Sequence, residues 1–475
     1  MTILAIDQGT TSTRALAVDT DGKASITSVI RHKQYYPQPG WVEHDPLELV
    51  RNIESSLESV DNIAAVGIDN QGESCLAWHS DTLEPVSQVI VWQDNRTGET
   101  IERLERDGVG EEVMNRAGLP LDSYFSASKL AWIVNSIPEA RRLLKKGKLK
   151  LGTTDAYFLD RLAGVFKTDI TTASRTSLMN LETGQWDERL CELFGVPMSA
   201  LPAIVPTTGL LGTVASRGKQ VPITASVVDQ QASLYGHGCR DVGDVKITFG
   251  TGAFALTVTG HKAIRAPDQG LLPTIGWQHA GDQAVYALDG GVYSAGSAIE
   301  WAHKLGLFED YSTLNSFDQP AAIDRDLVFV PALSGLACPH WDRLASGLWI
   351  GLSQDTNRSS MMQSILEGIA LRTAEVIRTM SSLTEVGHEI SIDGGVSVNP
   401  YFCKFLSDCL GKSLAVKSFP EITAIGSAQL AGADVILVDR DETRIQRYTP
   451  SAVREDRVKK FSNAVAKSMH WRAAS

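Results

Sequence analysis

Apolar and polar residues alternate in blocks at the start of the chain. An apolar run, residues 3–6, leads directly into Asp7, and a second apolar run, residues 15–18, follows Arg14. Uninterrupted apolar runs of this kind are typical of strands that are buried on both faces. The polar segment between them contains Gly9 and several hydroxyl residues, so the pattern predicts a β-hairpin with a polar turn.

The same pattern returns about half a chain later. Residues 245–258 again combine a strand pattern, a Gly250-Thr251 turn and a returning strand pattern, as the Gly9-Thr10 turn does near the start. The recurrence of one supersecondary unit indicates an internal repeat. We therefore expect two related halves, each of which presents one hairpin to a common cleft.

The two turns have the chemistry of a phosphate site. Glycine lets the backbone approach a ligand closely, and hydroxyls and free backbone N–H groups can hold phosphate oxygens. A neighbouring aspartate such as Asp7 can hold magnesium, which prefers oxygen ligands. The first turn alone fits an ordinary hairpin with a polar tip equally well, because short motifs match by chance. The second copy favours the phosphate site.

Helix and strand patterns alternate between the two hairpins. Asp45 is typical of a helix N-cap, since a proline and a helical apolar stripe follow it. Residues 63–68 predict a buried strand that ends in a polar cluster at 69–74, and residues 223–228 predict another that ends at Asp229. In α/β folds, ligand contacts lie beyond the carboxyl ends of such strands.

Length and glycine content predict two domains. The chain has 475 residues, whereas single hydrophobic cores stop growing near ~250–300 residues. Glycines cluster at 236–243, just after the strand that ends at Asp229. We place the boundary there and predict one domain at 1–238 and a second at 239–475.

Composition and charge exclude several classes of partner. The chain is 43% hydrophobic and 21% charged, as soluble globular enzymes are, and its net charge of −12 does not favour nucleic acid or an anionic membrane surface. No apolar stretch approaches the ~20 residues of a membrane span, and the first strand begins without a targeting segment. The six cysteines are scattered, which favours reduced thiols in a cytoplasmic enzyme.

Eight motifs, spread over nearly the whole chain, match those of one family in the same order. They are DQGTTSTR from Asp7, YPQPGWVEHDP from Tyr36, YFSASK from Tyr124, TDITTASRT from Thr168, VDQQASLYG from Val228, TFGTGAF from Thr248, PALSGLACPHWD from Pro331 and DGGVSVNPYF from Asp393. On these motifs the chain resembles the FGGY family of carbohydrate kinases, and within it the glycerol kinases. The resemblance implies an α/β fold with two actin-like, ribonuclease H-like ATPase domains, whose mixed sheets are flanked by helices around a central cleft. It also implies that the N-terminal domain holds substrate and phosphate and that the C-terminal domain holds the nucleotide.

The resemblance further implies roles for particular residues. Asp229 matches the catalytic base, which takes the proton of a substrate hydroxyl as that hydroxyl attacks the γ-phosphorus of ATP; the alternative for Asp229 is a helix N-cap. The implied substrate contacts are Glu73, Trp92, Tyr124, Asp229, Gln230 and Phe254, although the aromatic members also fit ordinary core packing. The implied nucleotide contacts are Thr10, Thr11, Ser12, Arg14, Thr251, Gly296, Glu300, Gly395 and Asn399. The implied metal ligands are Asp7 and Asp229.

Two positions depart from the family pattern. Glu300 stands where the family has a glutamine, and a carboxylate cannot donate a hydrogen bond as an amide does. Gly72 stands where glycerol kinases have an arginine whose guanidinium binds the substrate hydroxyls. Its absence would weaken glycerol binding by roughly 1–3 kcal/mol and would open space for a longer polyol or a ketose. Alternatively, another side chain or a water supplies the missing donor.

We therefore expect ATP- and Mg²⁺-dependent phosphorylation of a small polyol or sugar. Glycerol is the default substrate, and a tetritol, pentitol or ketopentose is the alternative. The rival from another class is a non-enzymatic or chaperone-like ATPase of the same superfamily, which would not need a polar cluster at Glu73, Trp92, Tyr124 and Gln230. No nucleic-acid or membrane partner is expected, and a homodimer or homotetramer is the default assembly.

Overall fold

The computed structural model describes residues 2–417, 421–432, 445–451 and 454–472. The strands of the N-terminal half are β1 (Thr2–Gln8), β2 (Ser12–Val18), β3 (Ala24–Arg31), β4 (Glu43–His44), β5 (Ile63–Asn70), β6 (Cys75–His79), β7 (Val89–Ile90), β8 (Leu149–Thr153), β9 (Lys167–Asp169), β10 (Met179–Asn180), β11 (Gln185–Trp186), β12 (Ala203–Val205), β13 (Thr208–Ser216) and β14 (Lys219–Val228). Those of the C-terminal half are β15 (Val245–Phe249), β16 (Ala253–Gly260), β17 (Leu272–Trp277), β18 (Val285–Val292), β19 (Val328–Val330), β20 (Leu348–Ile350), β21 (Glu389–Gly394), β22 (Ser413–Lys417) and β23 (Ile445–Tyr448).

Each half is built on one mixed sheet. The strand order is β13-β14-β5-β1-β2-β3 in the N-terminal sheet and β17-β18-β16-β15-β21-β22-β23 in the C-terminal sheet. In each sheet an antiparallel hairpin has a third antiparallel strand on one side and two parallel strands on the other. This shared core confirms the predicted internal repeat. The predicted boundary between 238 and 239 falls between the two sheets and remains a prediction.

Helices flank both sheets. Those of the N-terminal half are α1 (Pro46–Leu57), α2 (Gly98–Arg106), α3 (Gly110–Ala117), α4 (Ser126–Ser136), α5 (Pro138–Lys145), α6 (Thr154–Ala163), α7 (Ile170–Ala173), α8 (Glu188–Phe194) and α9 (Asp229–Gly236). Those of the C-terminal half are α10 (Gly296–Lys304), α11 (Arg358–Ser381), α12 (Pro400–Leu410), α13 (Ile422–Leu430) and α14 (Glu455–Ser468). Asp45 caps α1 as predicted, because its side chain accepts a hydrogen bond from the backbone N–H of Leu47.

The two hairpins occupy equivalent places in their sheets. In the N-terminal sheet, Asp7 lies opposite Arg14 on β2 and beside Asp69 on the parallel strand β5. In the C-terminal sheet, Thr248 lies opposite Phe254 on β16 and beside Asp393 on the parallel strand β21. Asp7 and Thr248 are therefore corresponding positions of the repeat.

Helices α9 and α13 connect the two halves. A Cβ atom added to Gly426 of α13 would lie 1.8 Å from the carbonyl oxygen of Ala232 in α9, so the helices pack backbone against backbone. Helix α13 also covers the N-terminal sheet, where Ile425 and Ala428 share an apolar cluster with Ala5. The C-terminal half thus supplies a helix to the sheet of the N-terminal half.

Among the described residues no helix combines the length and apolar character needed to traverse a lipid bilayer. The six cysteines are all buried and unpaired.

Candidate active site

Two cavities meet at the turn of the second hairpin. The larger, of about 860 Å³, lies within the C-terminal half, and Gly250 and Thr251 form part of its wall. The smaller, of about 280 Å³, lies between the two halves and is lined by the same two residues. A molecule that fills the larger cavity and extends past this turn therefore enters the smaller one.

Most of the wall area of the larger cavity is apolar, although polar side chains also line it. Its apolar lining is Phe249, Ile299, Trp301, Leu314, Leu366, Val396 and Val398, and its polar side chains are Thr251, Ser297, Glu300, Lys304, Tyr311, Ser312, Asn315 and Asn399. This combination is typical of small-molecule and cofactor sites. The predicted nucleotide contacts Thr251, Gly296, Glu300, Gly395 and Asn399 all line this cavity.

Gly394 and Gly395, at the end of β21, lack side chains for two different reasons. Gly394 has a φ of 91°, and an added Cβ atom would lie 2.2 Å from the carbonyl oxygen of Phe249, so the fold requires glycine there. Gly395 has no atom within 4 Å of an added Cβ and lines the larger cavity. Residue 395 therefore leaves room for a ligand beside the backbone.

Two polar side chains of the larger cavity are already engaged within the protein. Asn399 caps α12 by accepting from the backbone N–H of Phe402, and its amide donates to the carbonyl of Leu314. Glu300 accepts a hydrogen bond from the hydroxyl of Tyr311 at 2.5 Å. Glu300 thus accepts a hydrogen bond at a position where a glutamine amide could also donate one.

The smaller cavity brings together every predicted substrate contact. Its lining from the N-terminal half includes Thr10, Gln71, Gly72, Glu73, Trp92, Tyr124, Arg175, Asp229 and Gln230. Its lining from the C-terminal half includes Thr248, Phe254, Leu256, Asp289 and Tyr293. Residues that are far apart in the sequence therefore form one polar chamber in the central cleft.

Asp229 is the first residue of α9 and lines this chamber. The N-cap of α9 is Val228, so Asp229 does not occupy the capping position. Its Oδ1 accepts from the backbone N–H of Gln230 at 2.6 Å. Burial, followed by the negative charges of Glu73 and Asp7, raises the pKa of Asp229 to about 7. A carboxyl group with a pKa near neutrality is suited to take a proton from an alcohol.

Lys246 supports Gln230 from within the C-terminal sheet. The ammonium group is fully buried and donates to Oε1 of Gln230 at 2.6 Å and to the hydroxyl of Thr248 at 3.2 Å. Because Oε1 is occupied, the NH₂ group is the part of Gln230 that is left for a ligand. Burial lowers the pKa of Lys246, while the charges of Asp393 and Asp229 oppose this effect.

Arg175 connects the two halves at the wall of the chamber. Its Nε donates to Oε1 of Glu73 at 2.7 Å, and its Nη1 lies 3.2 Å from Oδ2 of Asp289. Burial opposes the charge of the guanidinium, but Glu73 and Asp289 together raise the pKa of Arg175. Arg175 therefore balances two carboxylates that would otherwise face each other across the cleft.

Aromatic rings form the apolar part of the chamber. Trp92 and Tyr124 meet edge to face with ring centroids 5.5 Å apart, and the indole N–H of Trp92 donates to the hydroxyl of Thr10 at 3.2 Å. Trp92, Tyr124 and Phe254 also line an adjoining cavity of about 560 Å³. These rings are thus exposed to ligand space, as expected for substrate contacts and not for simple core packing.

The first hairpin reaches the chamber through its turn. Thr10 lines the smaller cavity, whereas Thr11, Ser12 and Arg14 line neither of the two cavities. Nη1 of Arg14 lies 2.7 Å from a carboxylate oxygen of Glu421, at the start of α13. Arg14 thus forms an ion pair with the C-terminal half, and its phosphate contact stays a prediction.

Asp7 lies next to a second carboxyl group. Burial raises the pKa of Asp7, and the neighbouring carboxyl group of Asp69 lowers it. The hydroxyl of Ser427 donates to Oδ2 of Asp69 at 2.5 Å. The predicted metal ligand thus lies in a cluster of oxygen atoms at the joint between the halves.

Sequence reasoning missed three charged residues of the site, Arg175, Lys246 and Asp289. Thr171 and Thr172, which precede Arg175 in the motif from Thr168, donate to Asp169 in the protein interior and do not line the chamber. A signal was available for Lys246, because a lysine inside a buried strand pattern indicates a paired charge. The partners of Arg175 and Asp289 could not be read from local spacing.

The two repeated sheets, with helices on their faces and a cleft between them, define the actin-like, ribonuclease H-like fold class. The profile of the FGGY family of carbohydrate kinases, N-terminal domain, matches residues 2–236, and the C-terminal domain profile matches residues 245–434. A glycerol kinase of Pseudothermotoga lettingae is 37% identical over 99% of this chain and 98% of its own length. A glycerol kinase of Limosilactobacillus reuteri is 39% identical over 93% of this chain and 91% of its own.

Structural comparison agrees with the sequence relatives. The crystal structure of Plasmodium falciparum glycerol kinase with ADP has a TM-score of 0.90 and 30% identity, with 98% of each chain covered. The chain belongs to the FGGY family of carbohydrate kinases. It is an ATP-dependent carbohydrate or polyol kinase, which confirms the predicted fold class and enzyme class.

Proposed function

We propose that the chain transfers the γ-phosphoryl group of ATP to a hydroxyl of glycerol. The observation that carries this proposal is the Gly250–Thr251 turn, which lines both the larger cavity and the chamber that contains Asp229. A triphosphate that extends from the larger cavity past this turn would present its last phosphate to the chamber. The similar proteins named glycerol kinases support glycerol as the acceptor.

In this proposal the chamber orients one hydroxyl toward Asp229. Trp92 and Phe254 pack against the carbon chain, while Glu73 and Gln230 form hydrogen bonds with the hydroxyls. Asp229 accepts the proton of the attacking hydroxyl, so that the new oxygen–phosphorus bond forms as the bond to ADP breaks. The position of the chamber between two halves excludes water from this step, which limits hydrolysis of ATP.

The residues present suit a magnesium ion held together with the nucleotide. Magnesium keeps several waters and usually takes one or two carboxylates plus substrate phosphates. Asp7 and Asp229 provide two carboxylates, and an oxygen of the neighbouring Asp69 has no hydrogen-bond partner among the described residues. Within the described residues these carboxyl groups do not form a set of three or more side chains placed to hold a metal ion by themselves. The ion would neutralise phosphate charge.

Two alternatives are not favoured. A longer polyol or a ketose would have more space because glycine stands at position 72 in place of an arginine. However, the relatives that match over nearly the full length are glycerol kinases. A non-enzymatic ATPase is not favoured because both family profiles are those of carbohydrate kinases. The chamber also contains the polar cluster that such an ATPase would not need.

A coupled assay of ADP release with a panel of C3 to C6 polyols and ketoses tests the proposal. We expect glycerol to give the highest kcat/KM and a phosphorylated product by mass spectrometry. A clearly higher kcat/KM for a tetritol, pentitol or ketopentose would overturn glycerol as the substrate. ADP release that no polyol or sugar stimulates would overturn the whole proposal.

Replacing Asp229 by asparagine tests the proposed base. We expect kcat to fall by roughly 10²–10⁴, the usual contribution of a general base, while ATP affinity is retained or increased because a negative charge is removed. The matched control is Asp408→Asn, because Asp408 pairs with Lys404 away from both cavities and should leave kcat unchanged. An unchanged kcat in Asp229→Asn would remove Asp229 from this role.

A further inference from the structure

The guanidinium of Arg175 is a buried cation on the wall of the substrate chamber. Arg175 is only 5% exposed, yet it lines both the chamber and the adjoining cavity. Its charge is held between Glu73 from its own half and Asp289 from the other half. It therefore faces ligand space from a position that two ion pairs fix.

The hydrogen-bonding capacity of this guanidinium is not fully used. An arginine side chain has five N–H donors, and Nε of Arg175 is satisfied by Glu73. Nη1 lies 3.2 Å from Oδ2 of Asp289 and is buried, so it is held within this ion pair. Nη2 has no hydrogen-bond partner in the described part of the chain and is not among the fully buried polar atoms, so it is the donor left for a hydroxyl in the chamber.

Packing leaves little room for a side chain at position 72. A Cβ atom added to Gly72 would lie 3.0 Å from Cγ1 of Val228 and 3.6 Å from Cγ of Arg175. The second distance is ordinary van der Waals contact, but the first is shorter, so Val228 would have to move by a few tenths of an ångström to admit a side chain there. The space beside Gly72 is filled by Val228 and by the stem of Arg175.

We propose that Arg175 binds the substrate hydroxyls in this chain and thereby determines substrate affinity. The proposal rests on the proposed kinase function and identifies the donor that replaces the arginine absent at position 72. The planar guanidinium hydrogen-bonds hydroxyl groups through Nη2 while Glu73, at Nε, and Asp289, at Nη1, hold its orientation. The carboxylates of Glu73 and Asp289 remain able to accept hydrogen bonds from the same polyol.

Calorimetric titration of glycerol and of ATP into wild-type protein and Arg175→Lys tests this role. Lysine keeps the positive charge but loses the fork of donors. We expect the Kd of glycerol to rise at least about tenfold, as for the loss of a hydrogen bond to a charged group, while the Kd of ATP changes less than about twofold. An unchanged Kd for glycerol in Arg175→Lys would overturn the proposal.

Arg372→Lys is the matched control. Arg372 is also a buried arginine paired with a carboxylate, that of Glu375, and it lines neither the chamber nor the larger cavity. We expect it to leave both Kd values unchanged. If Arg372→Lys weakened glycerol binding as much as Arg175→Lys, the effect would be a general loss of packing, and the proposal would be overturned.

A crystal structure of the wild-type protein with glycerol does not depend on how any variant folds. We expect Nη2 of Arg175 within hydrogen-bond distance, about 3.2 Å, of a glycerol oxygen, and a separation that excludes such a bond would overturn the proposal. Wild-type protein that binds glycerol through Arg175 without phosphorylating it would overturn the proposed function alone. Wild-type protein that binds no polyol would overturn both.

Discussion

The two hairpins share one backbone plan but differ in the charges they carry. In the first, Asp7 lies beside Asp69 and opposite Arg14. In the second, the position of Asp7 is taken by Thr248 and that of Arg14 by Phe254. The second turn, at Gly250 and Thr251, instead lines both cavities.

This difference assigns separate tasks to the two copies. A carboxylate can hold a metal ion and an arginine can neutralise phosphate, whereas glycine and threonine offer backbone and hydroxyl donors with no net charge. The first hairpin is therefore suited to the charged metal–phosphate end of the nucleotide. The second is suited to guiding the phosphate chain past the turn. The repeat supplies two equivalent positions, and the side chains make them unequal.

The largest effect on this comparison is expected from replacing the polar side chain at each of the two corresponding positions, Asp7 and Thr248. Asp7→Asn should lower kcat/KM by roughly 10²–10³, as for the loss of one preorganised electrostatic group, and should raise the Mg²⁺ concentration needed for activity. Thr248→Val should lower kcat/KM by less than about tenfold, since one neutral hydrogen bond contributes ~1 kcal/mol. Steady-state assays across a range of Mg²⁺ concentrations measure both.

The comparison would fail if the two variants lost activity equally. It would also fail if Asp7→Asn had the same Mg²⁺ dependence as the wild type. Circular dichroism melts of both variants show whether the sheets remain folded.

A smaller effect is expected from the positive charge of Lys246, on β15 of the second hairpin, which acts on the carboxyl group of Asp229. Because the pKa of Asp229 is raised to about 7 and a base acts only when deprotonated, kcat/KM should fall as pH decreases through about 7. At pH 6 it should be roughly tenfold below its value at pH 8. Lys246 lowers the pKa of Asp229, so Lys246→Met should move this acid limb to higher pH.

The pH profile of kcat/KM measures this shift, and Lys417→Met is its control. Lys417 donates to the carbonyl of His237 and lines neither cavity, so its loss should leave the acid limb in place. An acid limb that stays unmoved in Lys246→Met would contradict the electrostatic role of Lys246.

The smallest effect is expected at the ion pair between Arg14 and Glu421. Arg14 is partly exposed in this pair, and such pairs contribute ~0.2–1 kcal/mol. Arg14→Met should therefore raise the KM for ATP by less than about fivefold, and Glu421→Gln should lower it slightly because the guanidinium is released toward phosphate. ATP titrations of the initial rate distinguish the two directions. A rise in KM for both variants would show that the pair supports the fold and does not compete with the nucleotide.

The repeated Gly-Thr turns made the fold predictable from sequence, because each depends on residues that are adjacent in the chain. The position of Asp229 at the end of a buried strand was predictable for the same reason, and the chamber does contain it. Arg175 was not predictable in this way. Its partner Glu73 lies 102 residues away and Asp289 lies in the other half, so only the folded chain brings the three charges together.

Position 72 shows the same limit of prediction from local sequence. The sequence indicated a missing donor and left open whether the space was empty or another group filled it. The structure shows Val228 and Arg175 in contact range of that space. Side chains that compensate for a substitution lie near it in space, whereas local sequence shows only the substitution.

The close backbone contact between α9 and α13 also affects the position of Asp229 in the chamber. Gly426 has no room for even a methyl group beside Ala232, and α9 begins with Asp229. A methyl group at residue 426 would push α9 away and, in the proposed mechanism, would move the carboxylate of Asp229 away from the acceptor alcohol. In that mechanism the alignment of the proton transfer thus depends on the single hydrogen atom that is the side chain of Gly426.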